Sequence, residues 1–177
     1  METQNFKIES AQSSVNWIGK KVTGAHNGTI NIQEGNFTFA NGDLIGGSIV
    51  IDTTSIVILD VTNPDTNQQF AGHLASDDFF SIEKFQTASL DITAVSKQSL
   101  SNYFVEGKLT IKGITNPIGF NLEAKTNGSE LNASGKIIID RTKYDMKFRS
   151  GNFFTNLGDT LIYNEFELDV NLTAKLA

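Results

Sequence analysis

The C-terminal segment of the chain constrains the fold more than any other. Phe166, Leu168, Val170, Leu172, Ala174 and Leu176 alternate without interruption with Glu165, Glu167, Asp169, Asn171, Thr173 and Lys175. Successive strand side chains point to opposite faces, so a period of two buries one face and wets the other. At roughly 3.3 Å per residue this segment extends about 35 Å, long for a strand in a globular protein. The pattern recurs upstream. Val105, Leu109 and Ile111 oppose Glu106, Lys108 and Lys112, and Ile118, Phe120, Leu122 and Ala124 oppose Gly119, Asn121 and Glu123. Leu90, Ile92 and Ala94 oppose Asp91 and Thr93, with shorter versions at Phe6/Ile8, Val15/Trp17, Ile30/Ile32 and Phe37/Phe39. Helical periodicity is almost absent, so the prediction is an all-β chain. Composition agrees: Ile, Val and Thr make up 43 of the 177 residues and Phe, Tyr and Trp another 17.

Turn chemistry falls between the alternating runs. Asn27-Gly28, Asn41-Gly42 and Asn127-Gly128 are pairs that suit the positive φ angles of a type I′ hairpin. The second predicts pairing of Phe37–Ala40 with Leu44 onward, and the third pairs Ile118–Lys125 with Leu131–Ile139. Tight hairpins imply antiparallel neighbours. About eight strands are expected, near residues 5–20, 26–34, 36–41, 43–59, 85–97, 102–113, 115–126 and 130–142, with a last one at 161–176. One of the early short pieces is read as a continuation across a bulge. Asn63–Phe80 reads as a loop with a short helix, Asn63 capping and Pro64 in the first turn. Thr142–Asn156 is a polar and aromatic excursion. No repeat or linker divides the chain, so residues 1–177 are read as one domain with its core at about 5–176.

Long antiparallel strands with one apolar face must stack on a second sheet or close on themselves. Sequential hairpins and long strands favour an extended eight-stranded antiparallel β-barrel, just wide enough to be filled by side chains or to hold one small ligand. Pattern alone leaves a packed core and an apolar tunnel as equal readings, because both need the same inward rows.

The charges narrow the function classes. Lys and Arg number 14 against 20 Asp and Glu, a net of −6, which argues against nucleic acid as a partner. No apolar run reaches the roughly 18–20 residues of a transmembrane helix. The absence of Cys removes disulfides, thiolate zinc sites and cysteine nucleophiles. His26 and His73 lie far apart in sequence and in no metal-ligand spacing, so no metal site and no cofactor is expected. Asp77 and Asp78 could orient His73, although Ser76-Asp77-Asp78 reads more simply as a turn or cap. Most acidic residues occupy outward strand phases, which leaves no catalytic pair and predicts a non-enzyme. Asp140-Arg141 is open to two readings, a phosphate contact at the rim or an ordinary loop-fixing salt bridge. Arg141 and Arg149 are the only guanidinium groups available to grip an anionic head.

Four segments in order carry a family resemblance: Gly24–Gly28 (GAHNG), His73–Phe80 (HLASDDFF), Gly107–Thr115 (GKLTIKGIT) and Ile139-Asp140-Arg141. Over about residues 5–176 the chain resembles the YceI-like, polyisoprenoid-binding proteins. The resemblance implies a lipocalin-like barrel with an elongated apolar tunnel holding an isoprenoid or fatty-acyl-type lipid, without cofactor or catalytic centre. It further implies a homodimer as a common state and export as the usual fate. The N-terminus has neither basic nor apolar leader regions, so the expectation is periplasmic or secreted if a leader has been removed, and cytoplasmic otherwise. The expected lining is the inward phase of the strands: Trp17, Ile30, Phe39, Ile51, Leu90, Ile92, Leu109, Ile111, Phe120, Leu122, Ile137, Phe166 and Leu168. Phe70–Phe80 is the candidate lid or tunnel end. The competing readings are a ligand-free structural or stress-associated barrel and, less favoured, a His/carboxylate hydrolase.

Overall fold

The computed structural model describes residues 2–151, 157–158 and 161–177. The strands are β1 (Thr3–Ile8), β2 (Ser14–Lys21), β3 (Gly24–Ala40), β4 (Asp43–Ile58), β5 (Thr87–Lys97), β6 (Asn102–Ile111), β7 (Ile114–Asn127), β8 (Glu130–Asp140) and β9 (Ile162–Leu176). One helix, α1 (Pro64–Ala75), joins β4 to β5, and 3-10 turns occupy Ser10–Gln12 and Arg141–Tyr144. Every strand pairing is antiparallel, and β2 through β9 form a closed ring in which β3 pairs with β4 and β9 returns to β2. The result is a lipocalin-like eight-stranded barrel. Among the described residues no helix is long and apolar enough to cross a membrane.

Two strand boundaries differ from the sequence reading, and both matter. The strand expected at 5–20 is broken at Ser10–Gln12 into β1 and β2. The two pieces share one place in the ring, since both pair with β3 on one side and β9 on the other. The segments 26–34 and 36–41 are instead one strand of 17 residues, β3, which keeps pairing with β4 across three register shifts. Such bulges bend and twist a long strand enough to close a barrel.

The turns also divide. Asn41 and Gly42 have φ of 52° and 85°, the two positive values of a type I′ hairpin. At the β7–β8 turn only Gly128 is positive, at 64°, which places glycine at the first central position as in type II′ rather than type I′. Asn27-Gly28 is no turn at all. It lies inside β3, and the reversal from β2 runs through Val22 and Thr23. Gly28 is needed for close approach: a Cβ there would sit 1.7 Å from the Val57 carbonyl oxygen and 2.6 Å from the Trp17 ring. The helix begins as expected, with the Asn63 side chain accepting from Thr66 N–H at 3.0 Å and Pro64 in the first turn.

Alternating reversals sort the connections to two ends of the barrel. The β3–β4, β5–β6 and β7–β8 turns share one end. The β2–β3 turn, the α1 segment, the β6–β7 turn and the β8–β9 connection share the other. The core is densest at the first end, where Phe6, Phe37, Phe39, Leu131 and Ala174 are all at most 2% exposed.

Candidate functional site

The second end is hollow. A cavity of about 490 Å³ lies between α1 and the barrel wall, and beneath it sits a wholly apolar void of about 70 Å³. Val15, Ile51, Leu109, Ile139 and Leu168 line both, so they form the waist between the outer chamber and the inner one. The β9 inward row shows the change along one strand: Val170, Leu172 and Ala174 are buried, whereas Phe166 and Leu168 are half-buried because they border empty space.

Of the residues read as inward-facing, Trp17, Ile30, Ile51, Leu109, Ile111, Phe166 and Leu168 border the outer cavity. Leu90, Ile92, Phe120, Leu122 and Ile137 border only the inner void. Phe39 borders neither. It is packed edge-on against Phe6, ring centroids 5.4 Å apart, at the filled end. Trp17 turns its indole N–H to the Thr29 carbonyl at 3.3 Å, which satisfies the polar edge of a ring otherwise in apolar surroundings.

The helix covers the mouth. Thr66, Gln69, Phe70, His73 and Leu74 recur at spacings of three and four, which puts them on one helix face, and all five line the cavity. Beyond α1 the loop packs Phe79 and Phe80 over the opening. It is held by Lys112, whose buried ammonium donates to the backbone carbonyls of Asp77 and of Asp145. Lys112 and Gly113, with φ of 57° and 74°, form a type I′ turn between β6 and β7 that aims this side chain at both loops.

Polar groups gather only at this mouth. His26 Nδ1 lies 2.7 Å from Asp60 Oδ2, and its ring stands edge-on to Phe70 at 4.6 Å. Burial pushes the Asp60 carboxyl up, but the Asn27 N–H and His26 outweigh it and leave Asp60 below the ordinary carboxylate value. His73 Nε2 lies 3.1 Å from Asp78 Oδ2, with the ring edge-on to both Phe79 and Phe148. Asp77 instead accepts from Ser81 Oγ at 2.6 Å. Each histidine therefore has a carboxylate of its own. Among the described residues neither has a hydroxyl nucleophile on its other nitrogen, so the pairs lack the third group that acyl transfer needs. No cluster of three or more metal-ligating side chains occurs among the described residues.

Asp140 and Arg141 do not form the salt bridge that was the plainer reading of the sequence. Asp140 turns away and accepts from Thr142 N–H and Oγ1 at 3.0 and 2.6 Å, capping the 3-10 turn. Arg141, 3% exposed, donates to three backbone carbonyls, those of Tyr163, Met146 and Ile162. Burial lowers its pKa, and the nearby charge of Asp140 only partly offsets that.

A family model described as the YceI-like domain matches residues 6–174 of this chain. The chain belongs to the YceI-like family. A UPF0312 protein of Photorhabdus laumondii is 30% identical over 139 residues, covering 74% of this chain and 65% of that protein. A UPF0312 protein of Yersinia enterocolitica is 30% identical over 135 residues with the same coverage, so the chain spans just under two thirds of these relatives. Among solved structures, Burkholderia cenocepacia BcnA matches with a TM-score of 0.72 at 19% identity, covering 95% of this chain and 99% of that one. A polyisoprenoid binding domain from Saccharophagus degradans matches at 0.68 with 12% identity, covering 97% and 98%. At such identities the YceI-like likeness to these structures is one of fold.

Proposed function

We propose that this YceI-like chain binds a long-chain isoprenoid or a similar single-chain amphiphile inside the barrel and acts as a carrier or sequestering protein, with no catalytic step. The outer cavity supports this reading most strongly: it is walled by apolar strand residues, roofed by an amphipathic helix, and polar only at the mouth. Taking about 30 Å³ for a group the size of a water or methylene, the cavity holds roughly sixteen such groups, a farnesyl or palmitoyl chain. A longer chain must pass the waist at Ile51, Leu109 and Leu168 and repack the inner void.

Energetics favour length over chemistry in such a site. A dozen methylenes at about 0.8 kcal/mol each give roughly 10 kcal/mol, of the same order as the ~4–15 kcal/mol cost of association. Useful affinity therefore requires a tail that fills the cavity. A carrier of this kind suits an exported, periplasmic setting, because an apolar chain needs cover when it crosses water between membranes. Organic extraction of purified protein followed by mass spectrometry should yield a chain-like apolar molecule, and farnesol should perturb the emission of Trp17, the single tryptophan. A clean extract together with no response to farnesol or longer analogues overturns the reading.

A further inference from the structure

Arg141 is an unusual residue to find in the wall of a greasy cavity. It is almost fully buried, borders the outer chamber, and has no carboxylate within 4.0 Å among the described residues. Its hydrogen-bond partners among the described residues are neutral carbonyls. A guanidinium offers five N–H donors. Among the described residues three are used, one from Nε and one from each terminal nitrogen. Burying a cation without an opposite charge is costly unless something anionic arrives to offset it.

A second arginine, Arg149, is tied to the first through the backbone and also borders the cavity. Ile162 links them, its N–H donating to the Arg149 carbonyl at 2.9 Å while its own carbonyl accepts from Arg141 at 3.0 Å. The rings beneath them are also in register. Arg141 lies over Phe79 at 5.9 Å, Arg149 lies over Phe148 at 4.9 Å, and the two rings meet edge to face with centroids 5.9 Å apart. His73 packs edge-on against both. Arg149 also borders the cavity and has no acidic partner within 4.0 Å among the described residues. Glu165 is the acid on the same lining, and it is exposed. Two cations standing on an aromatic pair at the polar end of an apolar chamber form a site for a head group, with the tail running inward from it.

We propose that the YceI-like cavity selects an amphiphile with an anionic head, its carboxylate or phosphate held between Arg141 and Arg149 with the apolar chain directed toward the Leu109 waist. This rests on the lipid-binding reading and specifies the chemistry of its ligand. Forked guanidinium donors match both anions, and charge-assisted bonds in a dry site are the strong kind.

The test compares three probes with one tail: farnesol, farnesoic acid and farnesyl phosphate, each titrated against Trp17 fluorescence. Wild-type protein should bind at least one of the two anions about tenfold or more tighter than the alcohol. Which anion wins identifies a carboxylate or a phosphate ligand. R149A, at an exposed position, should lose a large part of that preference, read as the ratio of anion to alcohol affinity in the same variant. R141Q should abolish the preference, its folding checked by circular dichroism; R141K, which keeps the charge but loses the fork, should retain part of it. Equal binding of alcohol and anions overturns the head-group proposal and leaves lipid binding intact. A preference unchanged in folded R141Q and R149A overturns the assignment to these residues. No binding of any probe overturns both readings together.

Discussion

The barrel is built from one repeating pattern, yet its two ends do opposite things. At the end that carries the β3–β4, β5–β6 and β7–β8 turns, β1, β3 and β6 contribute the rings of Phe6, Phe37, Phe39 and Tyr103. Facing strands β7, β8 and β9 contribute the small Ala124, Ala133 and Ala174, all of them buried. Large against small closes the space, a common solution in narrow barrels. At the other end the inward positions are Ile51, Leu109, Ile139 and Leu168, whose branched side chains line a wall without filling the middle. Above them the long α1 and β8–β9 connections stand as a roof. One strand thus serves both purposes, bordering the open outer cavity at Phe166 and Leu168, narrowing to the small inner void at Val170 and Leu172, and solid at Ala174.

Substitutions that treat the two ends alike should give unlike results. The largest effect is expected for F6A, which removes a fully buried ring packed on Phe39 and should cost about 3–5 kcal/mol, read as a chemical-denaturation midpoint shift. F166A, at the hollow end, should cost well under half of that. Equal losses would show that the cavity is not present in solution. Enlargement should reverse the contrast. A174L inserts bulk at a position with no exposure and should cost about 1–3 kcal/mol by overpacking. L109W, which adds bulk of similar size but into the waist of the cavity, should leave stability nearly unchanged and weaken farnesol binding at least about tenfold. If L109W destabilises as much as A174L, the interior is filled.

Much of the architecture was legible in the sequence because alternation and turn chemistry are local. The β9 face, the Asn41-Gly42 hairpin and the Asn63 cap each follow from residues that touch or nearly touch along the chain. What was hidden is depth. Leu168 and Ala174 obey the same period and read alike as inward positions, and only the identity of the residues across the barrel makes one line a void and the other pack. Gly28 was misread because its glycine answers to Trp17 on a neighbouring strand, a requirement that looks like turn chemistry in one dimension. Asp140-Arg141 failed as a salt bridge for a reason that was available: consecutive residues leaving a strand point to opposite sides. The gathering of His26, His73, Lys112 and Arg141 was also available. Each sits at or near an alternate reversal of the chain, and all such reversals fall at one end of an up-and-down barrel.

The roof can be loosened without touching the solid end. Lys112, 7% exposed at its side chain, is the ammonium that joins the Asp77 and Asp145 carbonyls across the mouth. K112M leaves both carbonyls without their donor and should cost about 1.5–3 kcal/mol, the range for hydrogen bonds to charged groups. Hydrogen exchange is the sharper measurement. Amides of Phe79, Phe80 and Ser81, whose bonds hold the turn after α1, should exchange faster, while those of Leu131 and Ala133 on β8 keep wild-type protection. Uniform acceleration would mean that the ends are not independent units of stability.

The smallest effect is an acid-dependent one at the same end. Asp60 accepts from Asn27 N–H at 3.0 Å and pairs with His26, tying the start of β3 to the segment that leads into α1. Against desolvation, the Asn27 N–H and His26 hold its carboxyl below the ordinary carboxylate value in the folded protein. A depressed carboxylate contributes stability that is fully present above its unfolded value and is lost as pH falls through the folded one. Acid should therefore release this tie below about pH 4, and the Asn27 amide should lose protection there before the filled end responds. D60N should cost roughly half a kcal/mol at neutral pH, as expected for a solvent-screened contact, and should flatten the acid step at Asn27. An acid step that persists unchanged in D60N would place its origin in another carboxylate of the mouth, with Asp78, the partner of His73, the next to replace.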